Sequence, residues 1–206
     1  MNWMKKVAVA LVCLLPLGLQ AAKIDTLQVK SPSMNKSIEV VVVSPDVAAT
    51  KACPVIYLLH GYGGNACTWV GIKPDLPKIA DEKGIFFVCP DGKNTWYWDS
   101  PLNADVRYET FISNELVKYV DSHYKTVADR KGRAITGLSM GGHGAMWNGL
   151  RHSDVFSAAG STSGGVDIRP FPKNWEMSVQ IGEKAKYPEN WEKYTVINLV
   201  PTLRKD

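Results

Sequence analysis

Hydrophobic positions along this chain fall into short dense runs that alternate between two periodicities. Residues 24–43 hold two strand-like segments around the turn Ser31-Pro32-Ser33-Met34-Asn35-Lys36, and the second of them, residues 37–43, is strongly β-branched. An antiparallel pair is expected there. Residues 55–60 and 85–89 are continuous apolar runs of the kind found in strands covered on both faces. Between and after them come helical patterns: residues 74–83, and residues 108–123 with Phe111, Ile112, Leu116, Tyr119 and Val120 on one face. Residues 133–136 and 155–161 read as a fifth and a sixth strand, separated by a helix-compatible run at 145–151. Residues 163–206 are rich in Trp, Pro, Lys and Glu and carry no strand pattern, so short helices are expected at 175–181 and 188–194. Strands alternating with helices predict an α/β fold with a mostly parallel sheet and flanking helices.

The first 21 residues do not belong to that pattern. Lys5 and Lys6 precede an apolar run from residue 7 to 19 that ends at Ala21-Ala22, the order of a secretory signal peptide. The run is interrupted by Pro16 and Gly18, which favours cleavage near Ala21 or Ala22 over a membrane anchor. A secreted or periplasmic location is therefore expected, with one domain from residue 22 to 206. Loss of the leader lowers the formal charge from +4 to +2, and no basic stripe marks a nucleic-acid partner. Cys53, Cys67 and Cys89 remain, an odd number, and their spacing fits no metal motif. Neither a metal nor an organic cofactor is expected.

Two glycine clusters carry the chemistry. Gly137-Leu138-Ser139-Met140-Gly141 follows a strand and opens a helix, the setting in which Gly-x-Ser-x-Gly becomes a nucleophile elbow. There Ser139 is the nucleophile, and the amide of Met140, at the helix N-terminus, is an oxyanion donor. His60-Gly61-Tyr62-Gly63-Gly64 follows the buried strand at 55–60, where glycine lets backbone approach a substrate carbonyl, and Tyr62 N–H is the expected second donor. The loop at residues 93–101 holds Trp96, Tyr97, Trp98 and Asp99 without helical or strand periodicity. Trp96, Tyr97 and Asp99 are read as substrate-binding residues, lining a pocket or a sugar-stacking platform.

These clusters, with Pro90-Asp91-Gly92 leading to Asp99-Ser100-Pro101, occur in an order that resembles the esterase family of α/β-hydrolases. Esterase D-like S-formylglutathione hydrolases, feruloyl and acetyl-xylan esterases and mycolyltransferases belong to it, and the resemblance covers residues 24–206. It implies an α/β-hydrolase fold and a Ser–His–Asp acyl-enzyme mechanism on short-acyl or aromatic esters, including carbohydrate-linked ones. In that family the triad runs Ser, acid, His, with the His after the last strand. The histidines here are His60, His123, His143 and His152, and none follows a final strand. Asp167 follows the sixth strand but has no histidine to orient. The expectation is a C-terminally truncated member that lacks the last two strands, the triad acid and the His. Two further readings remain open: a non-catalytic pseudo-hydrolase that binds carbohydrate or lipid, and an acyltransferase.

Overall fold

The computed structural model describes residues 22–202; the leader expected over residues 1–21 lies outside the described residues. Six strands form one sheet in the order β1-β2-β4-β3-β5-β6. Strand β1 (Lys23–Ser31) turns at Pro32–Asn35 into β2 (Lys36–Ser44), with Lys23 opposite Ser44 and Ser31 opposite Lys36. Asn35 takes a left-handed φ of 49° in that turn, which an Asn tolerates. β2 lies antiparallel to β4 (Phe86–Pro90). From there β3 (Val55–Leu59), β5 (Arg133–Gly137) and β6 (Ala158–Ala159) continue in parallel.

The unbroken apolar run in β2 is explained by two cores. Val40 and Val42 face one side of the sheet with Tyr57, Leu59, Phe86, Val88 and Ile135, while Val41 and Val43 face the other with Leu58, Phe87 and Cys89. All four valines are buried, each stabilising the fold by on the order of 2 kcal/mol. The second face is covered by α1 (Thr68–Ile72) and α2 (Leu76–Lys83), the latter through Leu76 and Ala80. α2 stops at Gly84, whose φ of 63° is the usual left-handed helix exit. Helix α1 has no counterpart in the sequence pattern, being five residues long with a glycine inside.

On the first face, residues 108–123 form a continuous helical rod as expected. It comprises α3 (Tyr108–Thr110), a π-helical turn (Phe111–Glu115) and α4 (Leu116–His123). Glu109 is buried beside α5 (Met140–Arg151) and accepts from Trp147 Nε1 at 2.8 Å, Arg151 Nε at 2.8 Å and His152 Nε2 at 2.9 Å. Burial pushes its carboxyl up, but His152, Arg151 and Trp147 together outweigh burial and hold it below the ordinary glutamate range.

The sixth strand differs from expectation. Instead of an apolar strand over residues 155–161, only Ala158–Ala159 is extended, and both residues are exposed. The amides of Val155 and Phe156 bond back to His152 O at the end of α5, and Phe156 packs edge-on against Tyr57. The apolar character of that run thus serves a helix exit. No strand follows β6 among the described residues. Beyond it lie α6 (Met177–Ile181), α7 (Pro188–Lys193) and a 3-10 turn (Val196–Thr202), close to the expected helical excursion. Among the described residues no helix is long and apolar enough to cross a membrane.

Candidate active site

Ser139 sits between β5 and α5 with φ 55° and ψ −116°, a conformation that hard-sphere contacts deny to most L-residues. It is imposed by two glycines. A Cβ on Gly137 would lie 2.3 Å from Gly141 O, and one on Gly141 would lie 2.2 Å from Leu59 O. Both contacts are with backbone, so β3, β5 and α5 interlock where the chain turns. The loop after β6 completes the support: Ser139 N–H donates to Thr162 O at 2.8 Å, and Thr162 N–H donates to Gly137 O at 2.9 Å. A Cβ on Gly164 would lie 2.6 Å from the Gly142 carbonyl carbon, so this loop rests directly on the first turn of α5.

Ser139 is exposed and borders an apolar cavity of about 220 Å³ lined also by Tyr62, Trp96, Met140, Ile168, Phe171, Trp175 and Met177. The structure therefore brings together Ser139, Met140, Tyr62 and Trp96. Met140 is the first residue of α5, so its amide has no intrahelical acceptor. In the facing loop Gly64 N–H donates to Gly61 O and Gly63 N–H to Asn94 Oδ1, whereas the Tyr62 amide has no protein acceptor among the described residues.

Tyr97 and Asp99 are not part of the cavity lining, which corrects their assignment as substrate-binding residues. Tyr97 is fully buried, its ring wedged between Gly92 and Gly144, where any Cβ would meet it within 2.4 Å, and its hydroxyl donates to His60 O at 3.0 Å. Asp99 accepts from the Thr110 amide at 3.0 Å and hydroxyl at 2.6 Å, fixing the start of the 108–123 rod. Trp98 is buried as well. Left-handed φ values at Lys93 (48°), Trp96 (59°) and Tyr97 (61°) coil this loop so that its rings point into the core. Period-based reading cannot anticipate such a coil.

All four histidines are occupied elsewhere. His60 is buried, Nε2 accepts from Gly92 N–H at 2.9 Å, and Nδ1, which therefore carries the proton, donates to Gly61 O at 2.7 Å. His143 lies among Trp96, Trp98 and Trp147. Its Nε2 accepts from Trp98 Nε1 at 2.9 Å and its Nδ1 donates to Gly165 O at 2.7 Å. His123 bonds to Tyr119 O and Ser122 on the surface, and His152 belongs to Glu109. Among the described residues no side chain hydrogen-bonds the Ser139 hydroxyl. Asp167 does border the cavity, but Arg169 holds both its oxygens at 2.8 Å and depresses its carboxyl below the ordinary range.

Burial pushes the His143 imidazole down to about 4, and the bond to Gly165 O opposes this only in part. The unfolded chain then takes up a proton near pH 6.5 that the folded protein refuses until about pH 4. Stability from this source is intact above pH 6.5 and is lost as pH falls towards 4, by roughly 3 kcal/mol in all. Urea unfolding from pH 7 to pH 4.5 should show that slope in the wild type and a flatter one in His143→Phe; parallel slopes would rule the assignment out.

The comparisons with known proteins agree with this geometry. Residues 31–205 match the family model described as "Putative esterase". Esterase MT1326 of Mycobacterium tuberculosis (strain CDC 1551 / Oshkosh) is 28% identical over 149 residues, which cover 69% of this chain and 32% of that protein. The chain thus spans about a third of the length of that curated relative. Among solved structures, FphF, a fluorophosphonate-binding serine hydrolase of Staphylococcus aureus, superposes with a TM-score of 0.76 at 19% identity, over 89% of this chain and 74% of that one. A ferulic acid esterase superposes with a TM-score of 0.69 at 28% identity, over 91% and 74% of the two chains. With the strand order, the elbow and a family match over most of its length, the chain belongs to this esterase family and has the α/β-hydrolase fold.

Proposed function

We propose that the protein is an exported serine esterase in which Ser139 attacks short-acyl or aromatic esters, carbohydrate-linked ones included, and forms an acyl-enzyme. The observation that carries this reading is the strained, exposed Ser139 opening onto an aromatic-lined cavity of about 220 Å³. Negative charge on the carbonyl oxygen is held by the amides of Tyr62 and Met140, two fixed donors of the kind that dominate acyl transfer. A general base and its acid are not supplied by the described residues, because each histidine here is engaged by other partners. Without them Ser139 is a weak nucleophile, and only the residual catalysis of the oxyanion hole and binding remains. Export rests on the leader sequence at residues 1–21.

The aromatic wall sets the substrate class. Trp96 forms the buried part of the wall, while Phe171 and Trp175 are 42% and 45% exposed and in ring contact at 5.4 Å. That arrangement accommodates a flat acyl group inside and leaves aromatic faces for a sugar at the rim. The ferulic acid esterase among the structural neighbours supports the same class. The unpartnered Ser139 hydroxyl also favours a second reading, a pseudo-hydrolase that binds such esters without turning them over. Discharge of an acyl-enzyme to an alcohol would make the same site an acyltransferase.

Methyl ferulate is expected to quench the tryptophan fluorescence of the protein saturably, and Trp175→Ala to weaken binding about tenfold, the effect of roughly 1.4 kcal/mol of ring contact. Absence of saturable quenching would contradict the aromatic-ester assignment. Binding without any acylation of Ser139 would select the pseudo-hydrolase.

A further inference from the structure

We infer that Asn94 and Glu176 form a polar strap, between the oxyanion loop and the backbone of the Trp175 wall, that positions the oxyanion loop; this rests on the hydrolase reading above. The loop needs such a device. Gly61 and Gly64 are closely packed, but Gly63, with a φ of 74°, is the open tip of the turn, where an added Cβ would find nothing within 4 Å. That tip is held by Asn94, whose Oδ1 accepts the Gly63 amide at 2.9 Å. Asn94 is itself oriented by its other end, which donates through Nδ2 to Glu176 Oε2 at 3.3 Å. A backbone donor on one side and a carboxylate on the other permit only this orientation of the amide. The Glu176 carboxylate also lies near the Tyr62 side chain, where after burial its negative charge helps push the phenol pKa up.

Glu176 is held in place at some strain. Trp175 and Glu176 are consecutive non-glycine residues with φ of 50° and 54°, a left-handed pair that persists only where the surroundings fix it. They are fixed by the buried Met177 on one side and by Trp96 Nε1, which donates to Trp175 O at 3.1 Å. The same backbone that builds the outer wall of the cavity therefore sets the Asn94 amide, and Asn94 sets the loop. With the amides of Gly63 and Gly64 engaged by protein acceptors, Tyr62 N–H is left for a substrate oxygen. Asn94 and Glu176 touch no reacting atom. They are positioning residues, and an acyl group entering between wall and loop meets a hole whose geometry is already set.

The test compares wild type with Asn94→Leu, Glu176→Ala and Glu176→Gln, using two readouts. Amide hydrogen exchange at Gly63 reports the strap, and Ser139 acylation by p-nitrophenyl acetate with added imidazole as base reports the hole. Asn94→Leu is expected to speed Gly63 exchange at least tenfold and to lower the maximal acylation rate at least tenfold, with the half-saturating ester concentration within twofold of wild type. Glu176→Ala should move both readouts in the same direction and less far. Glu176→Gln, which keeps an acceptor for Asn94, should restore both to within about threefold. Thermal unfolding checks each variant, and if Asn94→Leu fails to fold, the Glu176 pair carries the comparison. Wild-type acylation left unchanged by loss of the strap would overturn this inference alone, including the case in which Gly63 exchange rises. A wild type whose Ser139 does not acylate under these conditions would overturn the hydrolase reading and the inference with it.

Discussion

Gly141→Ala is expected to destabilise the protein by about 4 kcal/mol or more, a large share of the roughly 5–15 kcal/mol by which a typical domain is stable. The added methyl would stand 2.2 Å from Leu59 O, 2.5 Å from Leu59 C and 2.6 Å from His60 O, and none of these is the flexible end of a side chain. Relief requires α5 to move off β3. That movement in turn breaks the Leu138 N–H to Leu59 O bond and the contact of Gly137 with Gly141. Gly71→Ala in α1 is the matched control, because its Cβ meets nothing within 4 Å and alanine is the better helix former. Urea denaturation should find the Gly71 variant equal to wild type or up to about 1 kcal/mol more stable. A Gly141 variant within 1 kcal/mol of wild type would mean that the elbow is not packed as described.

Ser139→Gly should show the opposite sign in stability while abolishing chemistry. The values φ 55° and ψ −116° mirror an ordinary extended conformation, which glycine adopts freely and serine adopts under strain of about 1–3 kcal/mol. Glycine loses more chain entropy on folding, so the net gain should be about 1 kcal/mol. Ser139→Ala keeps the Cβ and hence the strain, and should gain little. Both variants should lose serine acylation completely. Equal stability of the Gly and Ala variants would show that the backbone at Ser139 is relaxed, and with it that the elbow stores no strain.

The elbow turn and the second glycine loop are the parts that were legible in the sequence. Gly137 and Gly141 flank Ser139 at the one spacing that lets a strand turn sharply into a helix, and the second glycine cluster at Gly61–Gly64 falls after a run too apolar to be anything but a buried strand. Local chemistry decides both. Other features were hidden because tertiary contacts decide them. Trp96, Tyr97 and Trp98 stand in a polar, aperiodic loop, and nothing local announces that left-handed residues coil all three rings inward and leave only Trp96 at the cavity. Val155 and Phe156 read as strand but cap a helix, since a two-residue apolar step carries no period of its own. The strap of Asn94 and Glu176 joins positions 82 apart in sequence, beyond the reach of any motif.

His143 illustrates the same limit from the other side. In the sequence it is a histidine four residues after the nucleophile, and only the structure assigns both its nitrogens, one to an indole N–H and one to the carbonyl of a cavity-wall residue. Neutral and enclosed, it ties the first turn of α5 to the loop at Gly165. It has no capacity left to act as a base.

Ser139 as a nucleophile in a preformed elbow, with its base not among the described residues, is the reading on which the proposed function rests. Its most direct test is acetylation by p-nitrophenyl acetate, followed by mass spectrometry of the Ser139-containing peptide at rising imidazole concentration, with Ser139→Ala in parallel. Acetyl is expected on Ser139 at a rate that climbs with imidazole from a low starting value, and none in the variant. Rapid acetylation independent of imidazole, or acetyl at another residue with Ser139 unmodified, would contradict it.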